Sequence, residues 1–91
     1  MSYNGWTNKE TWLVKLWIDN DQNTYEYWSE VAKTYEKAYN LAEYLEEYIS
    51  NDMPITEANL YSDLLGTALA NVDWREIAEA LMEDAKELEV A

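Results

Sequence analysis

Carboxylates are the only side chains in this sequence numerous enough to organise chemistry. Nineteen Asp and Glu stand against six Lys and Arg, with no His and no Cys. Such groups can hold a cation, exchange a proton, or present negative charge to a basic surface. Without His the chain lacks the commonest general base and a usual zinc ligand. Without Cys it has neither thiolate nucleophiles nor disulfides, and the redox compartment is left open.

One spacing matches a calcium loop. Asp19, Asp21 and Asn23 fall at alternate positions, and Glu30 follows eleven residues after Asp19. In an EF-hand, alternate oxygens converge on the ion and a glutamate closes the site. Three features oppose this reading. The sharp-turn position that needs glycine holds Thr24, Glu26 occupies a position that normally packs inward, and Tyr25 to Glu30 read as helix. A capped helix–helix connection is the expectation, with no metal and no cofactor. Acids alone can also hydrolyse glycosides, but only when they converge in a cleft, and no spacing here predicts one. The chain is expected not to be an enzyme.

What remains is charge as such. Residues 1–42 hold six acids and four bases, whereas residues 43–91 hold thirteen acids and only Arg75 and Lys86, for −11 of the total −13. Candidates for a partner-binding acidic face are Glu43, Glu46, Glu47, Asp52, Glu57 and Asp63, followed by Glu76, Glu79, Glu83, Asp84 and Glu87. Carboxylates three and four apart on a helix sit one turn from each other and can line up against a basic channel. The same acids would also serve as a plain solvated face. Nucleic acid and anionic lipid would be repelled, so direct binding to either is not expected.

All thirteen aromatics are Trp or Tyr, rings with an apolar body and a polar tip that suit half-buried sites and interfaces. With 48% hydrophobic residues, the chain has the material for a core despite its charge. Its length fits a single domain over residues 1–91. No apolar run approaches the roughly 18 residues of a membrane span, and a soluble, cytoplasmic protein is the expectation.

The elements that must position these groups read as a compact all-α bundle of about four helices. Asn4-Gly5 signals a turn. Thr7 and Glu10 have capping-box spacing, with Trp6 just before the cap, so Gly5, Trp6, Thr7, Glu10 and Trp12 read as a structural clasp at a helix start. That helix is expected over Asn8 to Asp19, with Leu13, Leu16, Trp17 and Asn20 on one face and Val14 and Ile18 flanking it. A second helix is expected from about Asn23 to Ser50. Its seam is Trp28, Val31, Tyr35, Ala38, Ala42, Leu45 and Ile49, and Thr34 marks a place where it would break in two. Off that seam, Tyr44 and Tyr48 either cover another helix or join a binding surface. Pro54 ends the helix, and Thr56 caps a third whose apolar face is Leu60, Tyr61, Leu64, Leu65, Ala68 and Leu69, with Gly66 as a close-packing point. Asp73 caps the last helix with Glu76 at N3. Trp74, Ile77, Ala78, Leu81, Ala85 and Leu88 turn inward, while Val72 and Ile77 have hydrophobic-staple spacing.

The opening Tyr3 to Trp12, continued by Leu16-Trp17-Ile18 and Asn20-Asp21, resembles a family of small uncharacterised proteins carried by bacteriophages and other mobile elements. These open with N-G-W-T-N-x-E-T-W, and Val72-Asp73-Trp74-x-Glu76-Ile77-Ala78 looks like their second landmark. The resemblance implies a phage or mobile-element context and carries over no catalytic residue. Combined with the acidic half, it leads to an expected anti-defence inhibitor, directed at a CRISPR effector or a restriction enzyme. As a DNA mimic, it would place its carboxylates on a basic nucleic-acid-binding surface of a host protein. The alternative is a non-catalytic interaction or scaffold module, homodimeric or not, using exposed Trp6, Trp12, Tyr3 and Tyr44.

Overall fold

A computed structural model describes residues 3–52 and 57–90, and among these five helices form: α1 Lys9–Asn20, α2 Gln22–Lys33, α3 Ala38–Asn51, α4 Leu60–Ala70 and α5 Trp74–Val90. The all-helical expectation holds, with five helices in place of about four. The extra helix comes from Thr34. Its hydroxyl turns back to the Val31 carbonyl at 2.7 Å, and its amide takes the Val31 carbonyl at 3.0 Å. A threonine bonded to its own preceding turn competes with helix continuation, and α2 stops there. The seven seam residues nevertheless all belong to the core or pack against it, divided between α2, α3 and, for Tyr35, the connection between them.

α5 is the centre of the fold. Ile77, Ala78 and Leu81 are fully buried, Trp74 and Ala85 nearly so, and α5 packs chiefly against α3 and α2. Leu41, Ala42 and Leu45 meet it from α3, Trp28 and Ala32 belong to the same cluster from α2, and Ile18 from α1. Each large aliphatic side chain buried this fully contributes about 1.5–3 kcal/mol. The inward set expected of the last helix is the observed one, except that the side chain of Leu88 lies outside those described. Asp73 caps α5 by accepting the Glu76 amide at 3.1 Å. Among the described residues two buried polar atoms, Ser29 Oγ and Trp74 Nε1, have no protein partner.

α1 turns a different face inward from the one its apolar pattern suggested. Thr11, Lys15 and Ile18 are buried, with Val14 beside them, whereas Trp17 is 71% exposed and Leu13 and Leu16 are only half-buried. The reason is Lys15. Its aliphatic stem lies inside, and its ammonium meets Asp19 at 2.7 Å and Asp84 at 3.2 Å at the edge of the core.

α4 departs furthest from expectation. It starts at Leu60, capped by Asn59 in a reciprocal box with Ser62 at 2.9 Å in each direction, and not from Thr56. Ile55 and Thr56, with Met53 and Pro54, lie outside the described residues. No residue of α4 is buried, and it makes only marginal contact with the other helices. Leu60 and Tyr61 are 66% exposed and Leu64 59%. Gly66 is not a close-packing point, since a Cβ there would meet nothing within 4 Å. Among the described residues no helix is long and apolar enough to cross a membrane.

Candidate functional site

The opening clasp forms, one residue out of register from the sequence reading. Tyr3 and Trp6 exchange backbone hydrogen bonds of 2.6 and 2.8 Å around Asn4 and Gly5, both at positive φ, as a type I′ turn requires. The cap is then Asn8, not Thr7: its Oδ1 accepts from the Thr11 amide at 2.9 Å and the Thr11 hydroxyl at 2.7 Å. Asparagine ranks above threonine as a cap, and N-x-x-T overlaps T-x-x-E here, so the stronger cap prevails.

Thr7 is released to make a longer-range contact. Its amide donates to Glu76 Oε1 at 2.9 Å, and its hydroxyl lies 3.4 Å from Asp73 Oδ2. Asn8 Nδ2 donates to the Asn71 carbonyl at 2.7 Å, and the Asp73 amide donates to Thr11 Oγ1 at 2.8 Å. The two motifs read separately in the sequence therefore bind each other, α1 start to α5 start. This clasp is structural. It also engages Glu76, while the Lys15 pair engages Asp84, so two candidate surface acids hold the fold together.

The calcium-like spacing is dispersed by the same kind of local bonding. Asp19 is held by Lys15, Glu30 by Lys33 at 3.1 Å, and Asp21 caps α2 by accepting from the Asn23 and Thr24 amides. Among the described residues no three acids converge where they could hold a metal ion.

The remaining candidate acids are exposed: Glu43, Glu46 and Glu47 on α3, Asp52 just past it, Glu57 and Asp63 at the start of α4, and Glu79, Glu83 and Glu87 on α5. On α3, Glu43, Glu46 and Glu47 lie three and four apart, and on α5, Glu79, Glu83 and Glu87 lie four apart, so each set is a one-turn ridge. None of these nine acids meets a lysine or arginine among the described residues, where the ion pairs use only Lys15 and Lys33. Glu47 and Asp52 share a concavity of about 360 Å³ with Tyr44, Tyr48 and Asn51.

The aromatics divide between packing and surface. Tyr44 hydrogen-bonds Tyr27 hydroxyl to hydroxyl at 2.8 Å and packs on Trp28, with ring centroids 5.6 Å apart. Tyr48 meets Trp28 edge-on at 5.3 Å but stays partly exposed. This pair covers α2, one of the two roles open to it. The Tyr44 bond, with the surrounding tyrosines, pushes the Tyr27 phenol up to about 12. Trp6 packs against the core and Trp12 against Tyr3 at 5.0 Å, which leaves neither as a free hot spot. The freely exposed rings are others, Trp17 and Tyr61 foremost.

Trp17 marks a second concave feature. An open, largely apolar groove of about 760 Å³ runs between α1 and α4 over the ends of α2 and α3. Leu13, Val14 and Trp17 form one wall and Leu65, Ala68 and Leu69 the other, with Trp28 and Ile49 among the residues beneath. Sequence reading assigned both walls to the core. The available signal was that α1 carries two apolar stripes, so that it needs two partners.

No curated protein and no solved structure matches this chain. The clasp, the two carboxylate ridges and the groove all fall inside one matched span, residues 1–89, and on that match the chain belongs to a family of unknown function, DUF7249.

Proposed function

We propose that this chain is a non-catalytic, acidic protein that binds a host protein. In this reading its α3 and α5 carboxylates occupy a basic surface that otherwise holds nucleic-acid phosphates. The observation that carries it is the set of unpaired, one-turn-spaced acids Glu43, Glu46, Glu47, Glu79, Glu83 and Glu87. Like charges at this spacing each cost about 0.2–0.5 kcal/mol of helix stability, so the ridges oppose folding and call for another role. Rigid helices hold them in place, and α3 and α5 are the most closely packed pair in the fold.

The finer reading is an anti-defence inhibitor in a phage or mobile-element setting, acting as a DNA mimic on a CRISPR effector or a restriction enzyme. It rests on the resemblance of the opening motif and on the charge distribution. Binding to purified effector and restriction complexes in rising salt tests it. The expected result is an affinity that falls steeply with ionic strength and competition with the complex's own nucleic acid. Replacing Glu79, Glu83 and Glu87 by Gln should weaken binding while leaving the helical circular dichroism unchanged. Salt-insensitive binding, or none to any such complex, rejects the electrostatic reading.

A further inference from the structure

We infer that the groove between α1 and α4 is a docking site for one amphipathic helix of a basic partner protein. The site is a different surface from the carboxylate ridges, which it approaches at Glu47. Its walls are two helical ridges with none of the described residues packed between them: Leu13 and Trp17, four apart on α1, face Leu65 and Leu69, four apart on α4. Ridges of this spacing take a third helix by the same interdigitation that packs helices within a protein. Its volume of about 760 Å³ falls in the range of ligand-binding clefts. α4 supplies further unpaired apolar surface, since Leu64 lies one turn from Ala68 and Leu60 one turn from Leu64, both facing solvent. Trp17, 71% exposed on the rim, is the type of ring that anchors helix-in-groove complexes.

Charge selects the occupant. The groove's charged side chains are Glu10 and Asp52, and no lysine or arginine lines it. Asp52 and Tyr48 also line the neighbouring concavity that holds Glu47, so the acidic character continues past the end of the groove. A second copy of the chain would bring another −13 to this site and be repelled. A helix with leucines at i, i+3, i+4 and i+7 and lysines on its other face matches both the apolar floor and the acidic margin.

The full-length chain should be titrated by calorimetry with three synthetic helices that share one leucine stripe and carry Lys, Gln or Glu on the polar face. The expected result is a one-to-one complex with the lysine peptide and markedly weaker binding of the other two. Trp17→Ala, which removes an exposed ring and spares the core, should weaken the lysine peptide roughly tenfold, as loss of an interface anchor does. Leu69→Gln, on the opposite wall, should act in the same direction. Equal affinity for the three peptides would overturn the charge assignment. Binding that survives both substitutions, or no binding at all, would overturn the site. A dimer in sedimentation that Trp17→Ala dissolves would assign the groove to a second copy and overturn the proposal.

Discussion

Asn8 makes three side-chain hydrogen bonds at the start of α1. It caps α1, holds the Thr11 hydroxyl and ties the helix start to Asn71. Loss of a cap alone costs about 1 kcal/mol, and the exposed bond across the chain to Asn71 adds to that. Asn8→Ala is therefore expected to destabilise by about 2 kcal/mol in urea denaturation, clearly more than Thr7→Ala, whose contact to Glu76 is made by the backbone amide. Equal costs would mean that the Thr7 side chain shares the capping role. At Ser29 the direction reverses. Its hydroxyl is buried in a helix with no partner, so Ser29→Ala should stabilise by about 1 kcal/mol in the same assay. Lys15 and Tyr27 both favour the folded state below the alkaline range. Burial lowers the Lys15 pKa, but its bonds and charge interactions with Asp19 and Asp84 outweigh that and hold it above 10.5. Tyr27 keeps its proton to about 12 in the fold against 10.0 unfolded, because its hydroxyl is bonded to Tyr44. In both cases the folded state binds protons more tightly than the unfolded one. Their contributions are complete below the unfolded values and drain away as pH climbs through 10 toward 12. Tyr27→Phe should flatten that decline; an unchanged profile would remove Tyr27 as a cause.

At the scale of elements, α5 and α4 are opposites. α5 is buried on one complete face and its pattern reads directly: Trp74, Ile77, Ala78, Leu81 and Ala85 are where helical periodicity puts them. α4 carries an apolar stripe of equal clarity, yet only Leu69 of it packs against the core and no α4 residue is buried. Periodicity reports that a helix has an apolar side, not that the chain supplies a partner for it. α1 misleads for a related reason. A lysine in the middle of its inner face looks like solvent until Asp84, far along the chain, is known to meet its ammonium. The break at Thr34 was legible as a site but not as an outcome, because the bonds Thr34 makes back to the Val31 carbonyl and the packing of both α2 and α3 on α5 are not visible in the pattern. Of the candidate site, the acids on α3 and α5 were legible and the groove was not, since it is built from stripes that sequence reading assigns to the core. α4's isolation makes a direct prediction. Gly66 sits mid-helix in open space, so Gly66→Ala should raise stability by up to about 1 kcal/mol and slow amide exchange within α4. No slowing there would mean that α4's opening is governed by its docking and not by its helix propensity.

Over the whole molecule the balance of charge acts against compactness. A net −13 is held in a body of about 46 × 28 × 23 Å. Among the described residues three carboxylates are relieved by ion pairs: Asp19, Asp84 and Glu30. Repulsion between the others acts over distances that a Debye length of about 10 Å at 0.1 M salt reduces strongly. The best-protected attraction, at Lys15, involves a residue that is only 6% exposed and so is screened least. Added salt must then remove more repulsion than attraction. The midpoint of thermal unfolding is expected to rise as sodium chloride increases from millimolar to physiological levels, the reverse of what a fold held by surface ion pairs would do. Glu79→Gln, Glu83→Gln and Glu87→Gln together should reproduce part of that rise at low salt and diminish the further gain from salt. A midpoint that falls with salt, or a triple variant no more stable than the parent, would mean that the α5 ridge carries no repulsive cost. It would also remove the physical ground for assigning that ridge a role beyond solubility.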